Sequence, residues 1–348
     1  MTPWELPDFD DHEAVHFVTD RESGLRAIIA VHSTALGPAG GGTRFWHYAD
    51  PQDALVDALR LSRGMSYKNA LAGLRMGGGK GVILAPASGT KTPQMLRAFG
   101  RAVDSLNGRY ATAQDVGMSA DDMLTVAHAT RHVCGLPPDD GLAGGDPGPS
   151  TAWGVFLGVR AAVRRALKRD SLGGVRVAIQ GVGSVGGGLA RHLAAHDARL
   201  LLADADPIKA EALASELGAE VVPADEILSS NVDVVSPNAL GAIWTADSIA
   251  ALNAPIVAGG ANNQLATAGD GERLRAAGVL YAPDYVINAG GIVNVALQYL
   301  DGATLAEAER VIGGIPVRLE QIWDEAEATG RPASDVADGI ARRLIGRG

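Results

Sequence analysis

The feature that most constrains the fold is a glycine pattern, Gly181, Gly183 and Gly186, set between a predicted strand and a predicted helix. The strand is residues 175–180, and the helix runs toward His196. In such a context the first glycine makes a tight turn and the second lets the backbone approach a pyrophosphate. The third lets the helix pack against the strand. Unpaired N–H groups at the helix start favour phosphate. The pattern therefore predicts a dinucleotide site, and a glycine-rich turn without a nucleotide is the alternative.

An acidic residue supports the nucleotide interpretation. Asp204 ends the next predicted strand, roughly 20 residues beyond the glycines, where a carboxylate can accept both ribose hydroxyls. A carboxylate there repels a 2′-phosphate, and the following Ala205 and Asp206 offer no arginine to hold one. The predicted cofactor is therefore NAD rather than NADP. The predicted cofactor-binding residues of this motif are Gly181, Gly183, Ser184, Val185, Gly186 and Asp204.

Strands and helices alternate through this half of the chain. Further predicted strands lie at 198–203, 232–235, 255–258 and 279–282, and a helix is predicted from Pro207 to Leu217. Alternation of this kind is typical of a parallel sheet with helices on both faces. The sequence therefore predicts an α/β protein with a doubly wound NAD domain.

Length and composition bound the remaining possibilities. A chain of 348 residues is long enough for two domains, and residues 135–149, rich in Gly, Pro and Asp, predict a loop or a hinge between the domains. The net charge of −10 and the lack of a long basic run argue against nucleic acid or an anionic membrane as a partner. The single cysteine, Cys134, fits a reducing compartment. Neither a signal peptide nor a membrane-spanning run is apparent, so a cytoplasmic location is expected.

A second glycine run, Gly77 to Gly79, leads to Lys80 and then to an apolar segment. We expect a tight turn that delivers Lys80 into a cleft without water, where burial lowers the pKa of the ammonium toward neutrality. A P-loop is excluded because Leu74 and Gly81 stand where that motif needs Gly and Ser or Thr. An exposed lysine on a flexible turn remains an alternative.

Two further residues suggest acid–base chemistry in this half of the chain. Lys68 lies beyond a helix predicted over 51–63 and ended by Gly64, and Asp115 follows a predicted strand at 109–113. Two lysines near one site depress each other's pKa, and an aspartate can accept or release the proton. One lysine could then bind a carboxylate while the other acts as a base.

At this point the sequence resembles the Glu/Leu/Phe/Val amino-acid dehydrogenase family, in particular its leucine, valine and phenylalanine branch. The resemblance covers essentially the whole chain and rests on ordered motifs. These are residues 36–44 (with a glycine-rich loop predicted at 37–44), 64–68, 76–80, 115–117, 151–155, the glycine pattern, 262–264 and 281–291.

The resemblance implies reversible NAD-dependent oxidative deamination of an apolar L-amino acid to its 2-oxo acid and ammonia. Lys68 would bind the substrate carboxylate with the Gly41 backbone and Asn262 or Asn263. Lys80 would be the general base and Asp115 the proton shuttle. The residues near the nicotinamide would be Thr151, Pro237, Asn238, Ala239 and Asn288.

The resemblance also implies a substrate pocket without charge. Gly40, Ala113, Ile292 and Val295 would line it, and Gly40 in place of a larger residue would deepen it. Leucine-, valine- or isoleucine-like substrates are expected first and phenylalanine or another aromatic amino acid second, because one methylene changes the fit by only about 1–3 kcal/mol. The missing charge disfavours glutamate.

The expected architecture has two domains with a cleft between them. Residues 1–134 with about 326–348 would form an α/β domain for substrate binding and homo-oligomer formation, and residues 135–325 the NAD domain. The alternatives are a catalytically silent NAD-binding regulator and another specificity such as tryptophan. No metal is predicted, because His128, His132 and Cys134 come without the remaining ligands of a metalloenzyme, as does the pair His192 and His196.

Overall fold

The structure is a computed structural model that describes residues 3–348. Its backbone contacts divide the chain into two compact units. The first unit comprises Met1–Asp146, Val293–Ala308 and Ala341–Gly348. The second comprises Pro147–Ile292 and Glu309–Ile340. The division into a substrate domain and an NAD domain at residue 134 describes function and stays a prediction.

The first unit is built on a five-stranded mixed sheet with the order β1-β2-β4-β3-β5. Strand β4 pairs antiparallel with β2 and parallel with β3, and β3 pairs parallel with β5. Its strands are β1 (Ala14–Asp20), β2 (Leu25–Ser33), β3 (Ala39–Trp46), β4 (Gly77–Leu84) and β5 (Tyr110–Gln114).

Both glycine-rich stretches of this unit are strands, so the predicted loop at 37–44 and the predicted turn before Lys80 are wrong. The reason is packing. A Cβ on Gly78 would lie 2.0 Å from the backbone nitrogen of Ser66, and one on Gly79 would lie 2.6 Å from the ring of Tyr110. Glycines occupy β4 because its neighbours leave no room for side chains, not because the backbone turns.

The helix that packs against β4 is longer than predicted. Helix α1 spans Pro51–Leu71 and passes through Gly64, which was expected to end it. Asp50 caps its start by accepting a hydrogen bond from the Gln52 N–H. A solvent-exposed glycine costs a helix only about 1 kcal/mol, and α1 buries a whole face beyond that point. Lys68 therefore lies within the helix.

Two shorter α-helices follow within the first 146 residues, and a short 3-10 helix, Pro3–Glu5, precedes β1. Helix α2 (Pro93–Asp104) begins after Thr92, whose side chain caps it by accepting a hydrogen bond from the Met95 N–H. Helix α3 (Ala120–Ala127) begins after Ser119, whose side chain caps it. Beyond this helix, Val133 forms a bridge with Thr112, so that the chain rejoins the sheet there.

The second unit contains a six-stranded sheet with the order β11-β10-β9-β6-β7-β8. All of its strand pairs are parallel, which confirms the predicted doubly wound architecture. The strands are β6 (Arg176–Gln180), β7 (Arg199–Ala203), β8 (Glu220–Val221), β9 (Val234–Pro237), β10 (Ile256–Val257) and β11 (Leu280–Tyr281).

One helix, α4 (Gly148–Leu167), precedes the first of these strands, and the others lie between strands or follow the last of them. These others are α5 (Ser184–Ala194), α6 (Pro207–Leu217), α7 (Ala246–Ala250), α8 (Gly269–Ala276), α9 (Asp284–Ile287), α10 (Gly290–Asp301), α11 (Leu305–Ile312), α12 (Ile315–Thr329) and α13 (Ala333–Leu344). Within residues 3–348, none of the helices combines the length and the apolar character needed to cross a membrane.

The packing of β4 against α1 leads to a matched pair of predictions. Gly78→Ala would force its methyl group into the backbone of α1, so we expect the free energy of unfolding to fall by roughly 3 kcal/mol. Gly64→Ala on the same helix meets nothing within 4 Å and should raise it by about 0.5–1 kcal/mol. Urea denaturation of both variants measures the two changes. Equal stability of the two variants would contradict the packing argument.

Candidate active site

Lys80 lies in the middle of β4 and is only 5% exposed. Its Nζ donates a hydrogen bond to Oδ2 of Asp115 at 2.6 Å. Burial lowers the pKa of Lys80 below its ordinary value, the Asp115 carboxylate opposes that change, and the Arg44 cation adds to it. The sequence predicted the burial and a second lysine as causes, and Arg44 is the cation found to contribute.

Asp115 follows directly after β5 and reaches Lys80 across β3, the strand between β5 and β4. Gly42 allows this approach, because a Cβ on Gly42 would lie 2.7 Å from the Asp115 Cβ. Burial alone would raise the pKa of Asp115, but the Lys80 and Arg44 cations lower it by more, so the net pKa lies below the ordinary value. The pair is therefore an ionised carboxylate beside a lysine that releases its proton more readily than a free one.

Two residues that the sequence analysis missed extend this pair. Arg44 on β3 places Nε 3.4 Å from Asp115 Oδ2, and its NH1 donates to Asp57 Oδ2 at 2.7 Å. Asp57 on α1 also accepts hydrogen bonds from the Tyr48 hydroxyl and from Arg60. The sequence offered one signal for Arg44, its place two residues after the glycine run in β3. It offered none for Asp57, which looks like an ordinary polar helix residue.

Lys68 is half-buried on α1, one helical turn after Met65. A Cβ on Gly41 would lie 3.2 Å from the Met65 side chain and 1.9 Å from the Gly79 carbonyl oxygen. The Gly41 carbonyl oxygen accepts a hydrogen bond from the Tyr110 hydroxyl at 2.7 Å. The turn of α1 that precedes Lys68 thus packs against Gly41, as a shared site of these two residues requires.

The prediction that Gly40 deepens the substrate pocket is wrong. A Cβ on Gly40 would lie 2.1 Å from the sulfur of Met76, and Met76 is fully buried. The methionine side chain fills the volume that glycine vacates. Of the other predicted pocket residues of this unit, Ala113 is half-buried and Val295 is 6% exposed. Ile292 is half-buried and belongs to the second unit.

In the second unit the glycine pattern has the conformation that the sequence predicts. Gly181 adopts a φ of +84°, and a Cβ on Gly186 would lie 1.9 Å from the Gly181 carbonyl oxygen. Gly183, in contrast, is exposed and would meet nothing within 4 Å. Helix α5 begins at Ser184 and Val185, and its first N–H groups suit a phosphate. Gly181 and Gly186 are needed for the turn itself, and Gly183 leaves open space above the backbone.

Asp204 lies at the end of β7, beside the glycine turn. Its Oδ2 accepts a hydrogen bond from the Val182 N–H at 2.8 Å, and its Oδ1 accepts one from the Asp206 N–H at 3.0 Å. Burial raises its pKa, but these backbone donors lower it, and the net pKa lies below the ordinary value. The carboxylate is thus ionised and held in place, as binding of a ribose diol requires.

The segment after β9 is tied together by side-chain amides. Asn238 donates to the Ser236 carbonyl oxygen at 2.9 Å and accepts a hydrogen bond from the Gly260 N–H at 2.9 Å. Asn288 donates to the Gly260 carbonyl oxygen at 3.1 Å and to Asn262 Oδ1 at 2.8 Å. The structure thus brings three predicted site residues together, and it uses Asn238 to hold its own segment.

The remaining predicted residues of this unit lie around the same turn. A Cβ on Gly181 would contact Ala239 at 2.8 Å, which puts the segment of Pro237 and Ala239 beside the glycines. Thr151 donates its hydroxyl to the Pro147 carbonyl oxygen at 2.8 Å in the first turn of α4. Asn263 is exposed, with a φ of +52°.

Two buried polar atoms fit the binding of a polar cofactor in this unit. The carbonyl oxygens of the Gln180 and Asn288 side chains are buried and have no hydrogen-bond partner among residues 3–348. Gln180 is the last residue of β6, directly before the glycine turn. Together with the open space at Gly183 and the ionised Asp204, these acceptors match the donors of a dinucleotide.

The histidine pairs have structural partners. His132 Nδ1 lies 2.8 Å from the Tyr299 hydroxyl, and the ring of His192 packs against Phe156. Across residues 3–348, no group of three or more His, Cys, Asp or Glu side chains is placed to hold a metal ion.

Two stretches match one family of known proteins. Residues 12–132 match the Glu/Leu/Phe/Val dehydrogenase dimerisation domain, and residues 203–329 match Glutamate/Leucine/Phenylalanine/Valine dehydrogenase. Leucine dehydrogenase of Bacillus subtilis is 44% identical over 97% of this chain and 92% of its own length. The chain belongs to the Glu/Leu/Phe/Val dehydrogenase family. Membership confirms the enzyme class predicted from sequence, an NAD-dependent amino-acid dehydrogenase.

Other members of the family resemble this dehydrogenase to a similar degree. Valine dehydrogenase of Streptomyces albus is 43% identical over 96% of this chain and 92% of its own length. The crystal structure of L-tryptophan dehydrogenase from Nostoc punctiforme superposes with a TM-score of 0.85 at 43% identity, covering 96% of each chain. The fold is thus that of a solved amino-acid dehydrogenase.

The burial of Lys80 in this dehydrogenase predicts how stability responds to loss of its partner. Asp115→Asn leaves a buried ammonium without its carboxylate, so the free energy of unfolding should fall by roughly 3 kcal/mol at about pH 7. A lysine with a lowered pKa binds fewer protons folded than unfolded, so stability rises as the pH rises through its folded pKa. The deficit of Asp115→Asn should therefore shrink toward about pH 10.

Urea denaturation at both pH values measures this effect. The control is Asp20→Asn, which breaks an exposed ion pair with Arg101 and should cost less than about 1 kcal/mol at either pH. A deficit of Asp115→Asn that stayed constant with pH would show that the loss does not come from the charge on Lys80.

Proposed function

We propose that this protein catalyses the reversible oxidative deamination of an apolar L-amino acid. The amino acid, NAD⁺ and water give the 2-oxo acid, ammonium, NADH and a proton. The observation that carries the proposal is the buried hydrogen bond between Lys80 and Asp115 in a chain of this family. A lysine with a lowered pKa beside an ionised carboxylate suits a reaction that moves protons on and off an amine and a water molecule.

Lys80 is the general base of this proposal. In its neutral form it accepts a proton from water, which then attacks the imine carbon of the substrate. Its burial supports this role, because burial disfavours the ammonium form. Asp115, 2.6 Å from Lys80 Nζ, passes protons to and from the departing amine. NAD⁺, when bound, would supply the acceptor for the hydride that leaves the substrate Cα.

Lys68 binds the substrate carboxylate in this proposal, together with the Gly41 backbone. Its position one turn after Met65, whose side chain packs on Gly41, supports the pairing. Asn262 and Asn263 are proposed as additional partners of the carboxylate. Thr151, Pro237, Asn238, Ala239 and Asn288 are proposed to orient the nicotinamide. The amide network around Gly260 supports the rigidity that orientation requires.

A leucine-, valine- or isoleucine-like substrate is proposed first and an aromatic one second. Ala113, Ile292 and Val295 are small or apolar, and none of them offers a charge to a side-chain carboxylate. Since Met76 occupies the space at Gly40, that position adds no room for a ring. The names of the relatives include leucine, valine and tryptophan dehydrogenases, so tryptophan belongs in any test.

A homo-oligomer and a cytoplasmic location complete the proposal. The description of residues 12–132 as a dimerisation domain supports the first. The low cysteine content supports the second.

A substrate panel tests the activity. The purified protein with NAD⁺ at alkaline pH should form NADH with leucine, valine, isoleucine or an aromatic L-amino acid, and far less with glutamate. Lys80→Ala should lower kcat about a thousandfold. Lys168→Asn removes a lysine at an exposed, left-handed position that asparagine tolerates, and should leave kcat unchanged. If no L-amino acid of the panel is oxidised, the proposal fails.

The exposed glycine provides a separate test of the cofactor residues. Gly183→Ala meets no atom within 4 Å, so its thermal stability should match that of the parent protein. If the pyrophosphate lies against Gly183, the added methyl group should weaken NAD binding about tenfold. Calorimetric titration with NAD, together with a melting curve, measures both quantities. Unchanged affinity would place the pyrophosphate elsewhere.

A further inference from the structure

We propose that Arg44, held by Asp57, is a positioning residue that keeps Asp115 directed at Lys80 and ionised while Lys80 is neutral. The inference rests on the proposed function, since it concerns the acid–base pair of that reaction. Lys80 Nζ and Arg44 Nε lie 2.6 and 3.4 Å, respectively, from the same oxygen, Asp115 Oδ2. One carboxylate oxygen therefore faces two cations of different chemistry.

The difference between the two cations gives Arg44 its role. A lysine that acts as a base must spend part of the cycle neutral, and its ion pair with Asp115 is then lost. An arginine stays protonated at any working pH. Arg44 therefore supplies the charge that keeps Asp115 ionised when Lys80 has none.

Arg44 has an unused hydrogen-bond donor close to Asp115. Its Nε is buried and makes no hydrogen bond within residues 3–348, although Asp115 Oδ2 is only 3.4 Å away. A small movement of the carboxylate away from Lys80 would complete that hydrogen bond. Asp115 thus has a second partner ready when the first becomes neutral.

Asp57 fixes the guanidinium from the opposite side. It accepts from Arg44 NH1 at 2.7 Å, from the Tyr48 hydroxyl at 2.9 Å and from Arg60 NH2 at 3.1 Å. Three donors from β3, from the segment after β3 and from α1 hold this one carboxylate. Arg44 is therefore clamped between two carboxylates, and its distance to Asp115 is set by the packing of α1 on the sheet.

The charges around Lys80 give the two clamp residues opposite effects. Arg44 lowers the pKa of Lys80, and Asp57 raises it. Removal of Arg44 should make Lys80 hold its proton to higher pH, and removal of Asp57 should make it release the proton at lower pH. The charged groups that act on Lys80 are Asp115, Arg44 and Asp57, while Tyr48 and Arg60 bond to Asp57 and Lys68 lies on the same helix as Asp57.

The test is the pH profile of kcat/KM for deamination of the amino acid that the parent enzyme oxidises best. Its acidic limb reports the essential base of the free enzyme. Arg44→Gln should move this limb up by about 0.5 to 1 pH unit, and Asp57→Asn should move it down. Below the limb, Arg44→Gln should lose about three- to tenfold in kcat/KM, while the KM for NAD⁺ stays constant.

Two further variants separate charge from structure. Arg44→Lys keeps the cation and should keep the limb near its original position. Arg60→Gln removes the half-exposed third partner of Asp57 and should leave the limb unmoved. If Arg44→Gln and Asp57→Asn move the limb in the same direction, or neither moves it, the proposal is overturned. If Arg44→Gln does not fold, Asp57→Asn and Arg44→Lys still give different outcomes, a lowered limb in the first and an unmoved limb in the second.

A readout that does not need turnover keeps this inference apart from the proposed function. Competitive labelling with acetic anhydride over a range of pH, followed by mass spectrometry of the Lys80 peptide, reports the titration of Lys80 itself. The midpoint should rise in Arg44→Gln and fall in Asp57→Asn. If the protein oxidises no amino acid but the labelling midpoints shift as described, the proposed function is refuted and the role of Arg44 is supported. If the enzyme is active but the midpoints do not shift, the proposed function is supported and the role of Arg44 is refuted.

Discussion

The first unit depends on the approach of β4 to α1, where a helix nitrogen lies in the place of a missing side chain. Gly78 permits that contact, and the neighbouring glycines permit the corresponding contacts with Tyr110 and Thr43 on the other face of the strand. The result is a strand packed closely on both faces, with Lys80 as its one charged residue. Burial of that lysine follows from the packing.

A buried ammonium must be compensated, and the fold supplies the compensation from three elements. Asp115 arrives from the end of β5 over Gly42, Arg44 from β3, and Asp57 from α1. Each charge has an opposite neighbour, so two carboxylates alternate with two cations. Such a row tolerates the loss of one proton better than an isolated pair, because each remaining charge keeps at least one partner. The proposed reaction requires this row of charges to lose and regain a proton.

The second unit could be predicted from sequence almost completely, because its signals are local. The order of strand, glycines and helix, and an acid at the end of the next strand, all lie within about 30 consecutive residues. Gly181 and Gly186 have the predicted roles in the turn. The role of the Asn238 side chain was not predictable, since its partner Gly260 belongs to the segment after a later strand.

The first unit was less predictable, because its glycines are required by contacts with residues that are distant in the sequence. Nothing within residues 77–80 tells a reader that Ser66 and Tyr110 lie against them, so a turn was the natural interpretation. Gly64 was expected to end α1 for the same reason: the apolar face that carries the helix onward packs on strands elsewhere in the chain. Lys68, Lys80 and Asp115 were found by their residue types and by the resemblance. Arg44 and Asp57 needed the three-dimensional structure.

The contact between Gly40 and Met76 couples the residues that these two positions can accept. Any side chain larger than glycine at position 40 meets the methionine sulfur, so the two sites form an epistatic pair in which each residue limits the choice at the other. Transplanting a residue from a relative into position 40 alone would report a steric conflict rather than a change of substrate preference. The exchange has to be made at both positions at once, and the double variant will not equal the sum of its single changes.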